Sequence, residues 1–321
     1  MSPEDWTWIQ IGAEFPFVLF HISVLACILR CRSRNEPMFK THFFVFYCLS
    51  SIADIWAYIF YSWLWNLWNY DVFYPTTESY FMLRLARIGV TPKFILEYPV
   101  GNLVMFCARY CSYFQFVTHT AIAINRYHAI ANPVKGKIPK AHIVAIYLII
   151  LLLPIPGATT RLLGKIEAKP TKTPNVFVVG YDAAWITVAG STAFTIYSTI
   201  TSLISLAFEL RTLVIYRGLD LSSRRNRRDD YRLLIYALSQ FVTQFLLTCQ
   251  QILQALTASM GLTQVRLLVQ DFYPYLNDLL CLSAPICLII TSRAFRRRYL
   301  VVCGLCEEKT VVMTISAVKS F

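Results

Sequence analysis

The sequence predicts an all-α membrane protein: a bundle of seven transmembrane helices, N-terminus outside and C-terminus inside. Three observations carry that prediction. Charged residues make up only 15% of the 321 residues, against roughly 25% in soluble domains, and mean hydropathy is +0.50. Apolar residues gather in runs of about 20 or more, long enough to cross a bilayer. The basic residues form short clusters between those runs, so a net charge of +12 points to a membrane partner and not to nucleic acid.

In chain order the predicted spans are Ile9–Leu29, Thr41–Trp65, Val100–Asn125, Ala141–Thr160, Ala183–Ile215, Leu233–Met260 and Asp271–Ser292. Backbone groups in lipid must be satisfied within the segment, so each run reads as a helix. The opening residues, MSPEDWTW, carry no Lys or Arg. The first span is therefore expected to be a retained signal anchor, not a cleaved leader. Pro154 and Pro156 predict a kinked exit from the fourth span. The fifth span is longer than one crossing needs, and its end, FELRTLVIYRG, is expected to project beyond the membrane. In the sixth, Gln240, Gln244, Gln251 and Gln254 share one helical face. Such a face either supplies interhelical hydrogen bonds or lines a pocket.

Residues 1–292 are expected to form the bundle and 293–321 a tail. In the tail, Phe295, Tyr299, Val302 and Cys306 fall on one helical face beside Arg296, Arg297 and Arg298. That pattern suits a short helix lying on the membrane surface. Cys303 and Cys306 are candidates for palmitoylation.

Orientation follows from the basic residues. Twenty Lys and Arg lie on the side holding the connection after the first span and the C-terminal tail, and eight lie on the other. The richer side is expected to be cytoplasmic. The connection Asn66 to Pro99, with an amphipathic stretch at Tyr80–Ile88, reads either as a lid over a cavity or as interfacial anchoring by its Trp and Tyr. The predicted outside loops hold no Cys, so no external disulfide framework is expected.

Ionisable residues at membrane depth are costly and mark function. Asp54, Arg109 and Asp278 each lie about 20–24 Å from the cytoplasmic ends of their helices at 1.5 Å rise per residue, and so fall in one layer. An Arg between two carboxylates lowers the cost of burying all three. The layer serves as a pair that changes partners on activation, as a ligand-binding group, or as a static brace. Arg109, Tyr113, Phe116 and Thr120 share a face of the third span. No Lys lies within a span, which excludes a retinal Schiff base. No HExxH or Gly-x-Ser-x-Gly occurs. His42, His128 and His142 read as interfacial residues or as a cytoplasmic metal cluster. Neither a metal nor a cofactor is expected.

The motifs carry a resemblance. NRYHAIANP, Asn125 to Pro133, resembles the Asp-Arg-Tyr-x-x-Ile-x-x-Pro pattern that ends the third helix of rhodopsin-like receptors. LSSIAD, Leu49 to Asp54, resembles their second-helix Leu-x-x-x-Ala-Asp. APICLIITSRAF, Ala284 to Phe295, is similar to their seventh-helix Asn-Pro-x-x-Tyr followed by Phe, with Ala284 and Leu288 replacing Asn and Tyr. Asn125 replaces the Asp, and the sixth span lacks Cys-Trp-x-Pro. The combination looks most like the nematode chemoreceptors of serpentine receptor class gamma.

The resemblance implies a chemosensory G-protein-coupled receptor of the plasma membrane or sensory cilium, and not an enzyme. Its ligand would be a small molecule of the odorant or pheromone class, and its partner a heterotrimeric G protein. Asn125, Arg126 and Tyr127 would face the G protein, and Arg109, Tyr113 and Gln251 would contact ligand. Other readings are a seven-helix transporter or lipid-handling protein, and a membrane enzyme with a cytoplasmic metal site. The orientation predicts that an epitope added before Met1 is stained on intact cells, and one added after Phe321 only after permeabilisation. The reverse staining would refute the basic-residue count as a guide here.

Overall fold

The computed structural model describes residues 3–59, 100–131, 140–164, 166–170, 177–181, 184–219, 228–260, 262, 265, 268–269 and 272–305. Its helices are α1 (Pro3–Ser33), α2 (His42–Tyr58), α3 (Val100–Ala131), α4 (Lys140–Leu152), α5 (Pro154–Thr159), α6 (Ala184–Gly218), α7 (Arg228–Ser259), α8 (Tyr273–Thr291) and α9 (Arg293–Val302). The Asn66 to Pro99 connection, Cys306 and residues 220–227 lie outside the described residues.

Among the described residues, four stretches are long and apolar enough to cross a membrane: Gly12–Ser33, Val144–Leu162, Val188–Gly218 and Tyr231–Thr257. The outer surface is apolar. Val144, Leu148, Ile149 and Leu152 on the fourth span, and Val188, Ile196, Ile200 and Leu203 on α6, are each at least half exposed. Polar side chains turn inward instead. Gln115, Thr118, His119, Ser202, Ser205, Gln240 and Gln244 are all buried. A soluble fold has the opposite arrangement, because water solvates exposed polar groups and lipid cannot.

The central helix is α3, which packs against α2, α4, α5, α6 and α7. Its own polar residues, from Asn102 to Arg126, are largely buried. Side-chain hydrogen bonds tie it to its neighbours. Thr120 Oγ1 and Ser205 Oγ meet at 2.9 Å across α3 and α6. Ser202 Oγ and Thr248 Oγ1 meet at 2.9 Å across α6 and α7. Gln240 Nε2 donates to Ser283 Oγ at 3.3 Å, joining α7 to α8. Each such bond contributes about 0.6 kcal/mol in a membrane bundle, so their number matters more than any one of them.

Prolines shape two spans. The fourth stops as α4 at Leu152 and resumes as α5 at Pro154, and the Tyr110 hydroxyl donates to the Leu151 carbonyl beside the break at 2.9 Å. Within α8, Pro285 has no N–H to give the carbonyl of Cys281, four residues earlier. His21 of α1 hydrogen-bonds that backbone group instead. One proline thereby creates the acceptor that docks α1 on α8.

Two features lie outside the spans. A short antiparallel hairpin, β1 (Ile166–Pro170) and β2 (Phe177–Tyr181), sets Ile166 opposite Tyr181 and Pro170 opposite Phe177. It falls in the connection after the fourth span, where the span pattern carries no strand signal. At the chain's other end, α9 turns away from α8 by 101°. The Ser292 hydroxyl caps it by accepting from the Phe295 N–H at 3.3 Å. Glu36 pairs with Arg298, with Arg298 Nε donating at 2.9 Å. The Tyr299 and Ser23 hydroxyls meet at 2.7 Å, and Phe295 packs on Phe39 and Phe44.

His21→Leu leaves the Cys281 carbonyl unsatisfied, and is expected to cost about 1–3 kcal/mol. It should lower the Tm of the purified protein. Adding Pro285→Ala restores the missing N–H and should reduce that loss; equal losses with and without the second change would refute the account of the α1–α8 contact.

Candidate functional site

Arg126 ends the α3 core. The helix carries it into the bundle, where it is 4% exposed. Its guanidinium carbon lies 4.4 Å from the centre of the Phe43 ring on α2. Such a contact is worth about 2 kcal/mol where water is excluded. Its charge also reaches the buried carboxyl group of Glu209 on α6. Next to it, Tyr127 packs edge-on against Phe208 of α6 at 5.3 Å, while Asn125 is partly buried. Arg126 thus lies on the Phe43 ring of α2, within electrostatic reach of Glu209 on α6. Asn125 has no charge to offer it.

The sequence pattern did not single out Glu209, although an acid inside an apolar span satisfies the same rule that drew attention to Asp54. The segment FELRT was expected to lie beyond the membrane. In the structure the carboxylate turns into the bundle and is buried. His119, two helical turns before Arg126 on α3, was passed over in the same way and is also buried.

Toward the other end of α3, Arg109 and Tyr113 converge on one aromatic ring. The Arg109 guanidinium lies 4.6 Å from the centre of Phe194 on α6. Tyr113 meets Phe194 edge-on at 5.2 Å and Tyr197 at 4.7 Å. Phe116, one turn further along the same face, meets Phe194 at 5.5 Å. Gly157 allows α5 to close over Tyr113: a Cβ there would lie 2.8 Å from two carbons of the ring. The shared face read from the spacing of Arg109, Tyr113, Phe116 and Thr120 therefore looks at α6. Gln251 is engaged differently. Its Nε2 donates to Gln250 Oε1 at 2.6 Å, and Gln250 Nε2 donates to the Val269 carbonyl at 3.0 Å.

Asp54 and Asp278 approach a common point. Gln115 Nε2 on α3 donates to Asp54 Oδ1 at 2.8 Å and lies 3.2 Å from Cys281 Sγ on α8. Ser50 Oγ donates to Asp54 Oδ2 at 3.5 Å. Both carboxylates are close enough to act electrostatically on Cys281. The amide that links α2, α3 and α8 is Gln115, one and a half turns from Arg109. Gln115 lies off the face read from the spacing of Arg109, Tyr113, Phe116 and Thr120.

A helical bundle with a lipid-type exterior and a polar interior is a multi-pass membrane protein, and the seven-span pattern with Arg126 at the end of the third helix defines a seven-transmembrane receptor. The chain matches the family model of the serpentine type 7TM GPCR chemoreceptor Srv over residues 10–304, and it belongs to that family. The serpentine chemoreceptor resemblance read from the motifs is thereby borne out, and the family model matched is that of Srv. No curated protein matches the chain.

Gln115→Leu removes the donor to Asp54 and is expected to lower stability by about 1–3 kcal/mol. In a double-mutant cycle on Tm, adding Asp54→Asn to Gln115→Leu should cost much less than Asp54→Asn alone. Additive losses would mean that the two residues are not coupled.

Proposed function

We propose that this chemoreceptor is a ligand-gated conformational switch that signals to a heterotrimeric G protein from the Arg126 end of the bundle. The observation that carries the reading is the position of Arg126, buried against the Phe43 ring and within electrostatic reach of Glu209. A cation stored between two helices can be handed to a partner when those helices part. The acid that usually adjoins this Arg in rhodopsin-like receptors is Asn125 here, and Glu209 takes its place from α6.

The Arg126 end is the cytoplasmic one. The excess of Lys and Arg on that side supports this orientation. There α9 lies along the inner leaflet, with Cys303, which is exposed, and the following Cys306 in the sequence as palmitoylation sites. The outer half receives a small molecule of the odorant or pheromone class. Arg109, Tyr113 and Gln251 are the contacts, and Phe194 and Tyr197 complete the aromatic wall. The ligand must bind the active arrangement better than the resting one, because equal affinity shifts nothing. Asp54, Arg109 and Asp278 form the polar layer between the two halves. The receptor works at the plasma membrane or in a sensory cilium.

The test is a G-protein activation assay on cells expressing the receptor, run against an odorant and pheromone panel. Arg126→Ala should abolish the response at unchanged surface expression. Glu209→Gln should raise basal activity severalfold, because it frees Arg126. Undiminished signalling in Arg126→Ala would remove the role given to that residue, and an unchanged basal level in Glu209→Gln would remove the one given to Glu209.

A further inference from the structure

The facing residues of α6 and α7 form a seam whose two ends are closed by different means. On α6 the stripe is Ser202, Ser205, Glu209, Thr212 and Tyr216, at offsets of three and four. The first four are buried. On α7, Leu234, Ala237, Gln240 and Gln244 are buried, and Tyr231 lies one turn before Leu234. Inside the bundle, the Ser202 hydroxyl meets that of Thr248 at 2.9 Å and accepts from Gln244 Nε2 at 3.3 Å. At the other end the rings of Tyr216 and Tyr231 stack, with centroids 4.6 Å and planes 14° apart. From Ser202 to Tyr216 is about 21 Å along α6 at 1.5 Å per residue. Glu209 lies midway, where it lines a small cavity with Ser205, Gln240 and Gln244.

The two closures differ in what opening costs. At membrane depth a broken hydrogen bond strands polar groups where no water can take them, so the Ser202 end resists parting. Tyr216 lies just before Gly218, the last residue of α6, and Tyr231 just after Arg228, the first of α7. Both are only partly buried. Ring stacking leaves no donor or acceptor stranded when it parts, and tyrosine is at home at a membrane–water interface. The middle of the seam holds a cavity in place of packed side chains, so closure depends on the ends. A stack of this kind favours contact about 2- to 10-fold beyond the area it buries. That is enough to set a resting population and little enough for a ligand's differential affinity to overcome.

We infer that the Tyr216–Tyr231 stack is a latch: it holds α6 and α7 together beyond Glu209 and sets how often the receptor opens without ligand. The inference rests on the reading that the Arg126 end signals to a G protein. Tyr216 lies two turns beyond Glu209 on the same face of α6, so the stack must part before the helices can separate at Glu209 from that end. The two tyrosines are positioning residues, acting through the spacing of α6 and α7.

Tyr216→Ala and Tyr231→Ala should each raise ligand-independent G-protein activation about 2- to 10-fold at matched surface expression. The double variant should add little to either, because one contact is lost once. Tyr216→Phe keeps a ring to stack and should stay near the wild-type level. The stack needs both rings, so either alanine variant that reaches the surface carries the test. A second readout does not use signalling: in the purified receptor in lipid nanodiscs, the alanine variants should speed hydrogen exchange of amides 233–238 and leave the amides around Thr248 unchanged. Unchanged basal activation in the alanine variants, in an assay where Glu209→Gln raises it, would overturn the latch. So would a phenylalanine variant as active as the alanine one. If no variant moves the basal level, Glu209→Gln included, the G-protein reading falls and hydrogen exchange decides the latch alone: faster exchange at 233–238 upholds it, and unchanged exchange overturns it.

Discussion

Lipid offers no hydrogen bonds, and that deficit organises this molecule. Polar groups at membrane depth turn inward, where partners can be found, so the interior of this chain is its polar part and the exterior its apolar part. The consequence is a belt of side-chain contacts. Gln115 ties α3 to Asp54 on α2 and reaches Cys281 on α8. Thr120 and Ser205 tie α3 to α6, Ser202 and Thr248 tie α6 to α7, and Gln240 and Ser283 tie α7 to α8. Each tie is modest alone. Together they orient five helices without a hydrophobic effect between helices to do it.

The same scarcity explains how the prolines are used. A missing N–H in lipid exposes a carbonyl that something must satisfy. His21 meets that need at Cys281, so the proline of α8 selects the docking position of α1. At the Arg126 end, Glu36, Phe39, Phe44 and Ser23 hold α9 through Arg298, Phe295 and Tyr299. The tail helix, the first connection and the start of α2 thus form one packed unit beside Arg126.

The two halves of α3 have different surroundings. Around Arg109 and Tyr113 the neighbours are aromatic rings of α6, which suit flat or apolar small molecules. From Thr120 to Arg126 the neighbours are hydroxyls, amides and a carboxylate, which suit charge and water. Both halves face α6. A shift of α6 against α3 would therefore alter the aromatic wall and the Glu209 contact together.

Spans, the inward glutamine face of the sixth span and the polar face of α3 were readable from the chain, because hydrophobic period and length act locally and the bilayer sets both. Asp54 and Asp278 were readable as buried ionisable groups for the same reason, whereas Arg109 is only partly buried. Glu209 and His119 obeyed that rule too, yet Glu209 was masked by a helix expected to run past the membrane. Partners were not readable. That Gln115 serves Asp54, that His21 serves Cys281 and that Arg126 lies on the Phe43 ring depend on the rotation and depth of helices far apart in sequence. The sequence by itself determined which residues must leave the lipid; only the tertiary structure decided which of them meet, because each contact depends on the packing of the whole bundle.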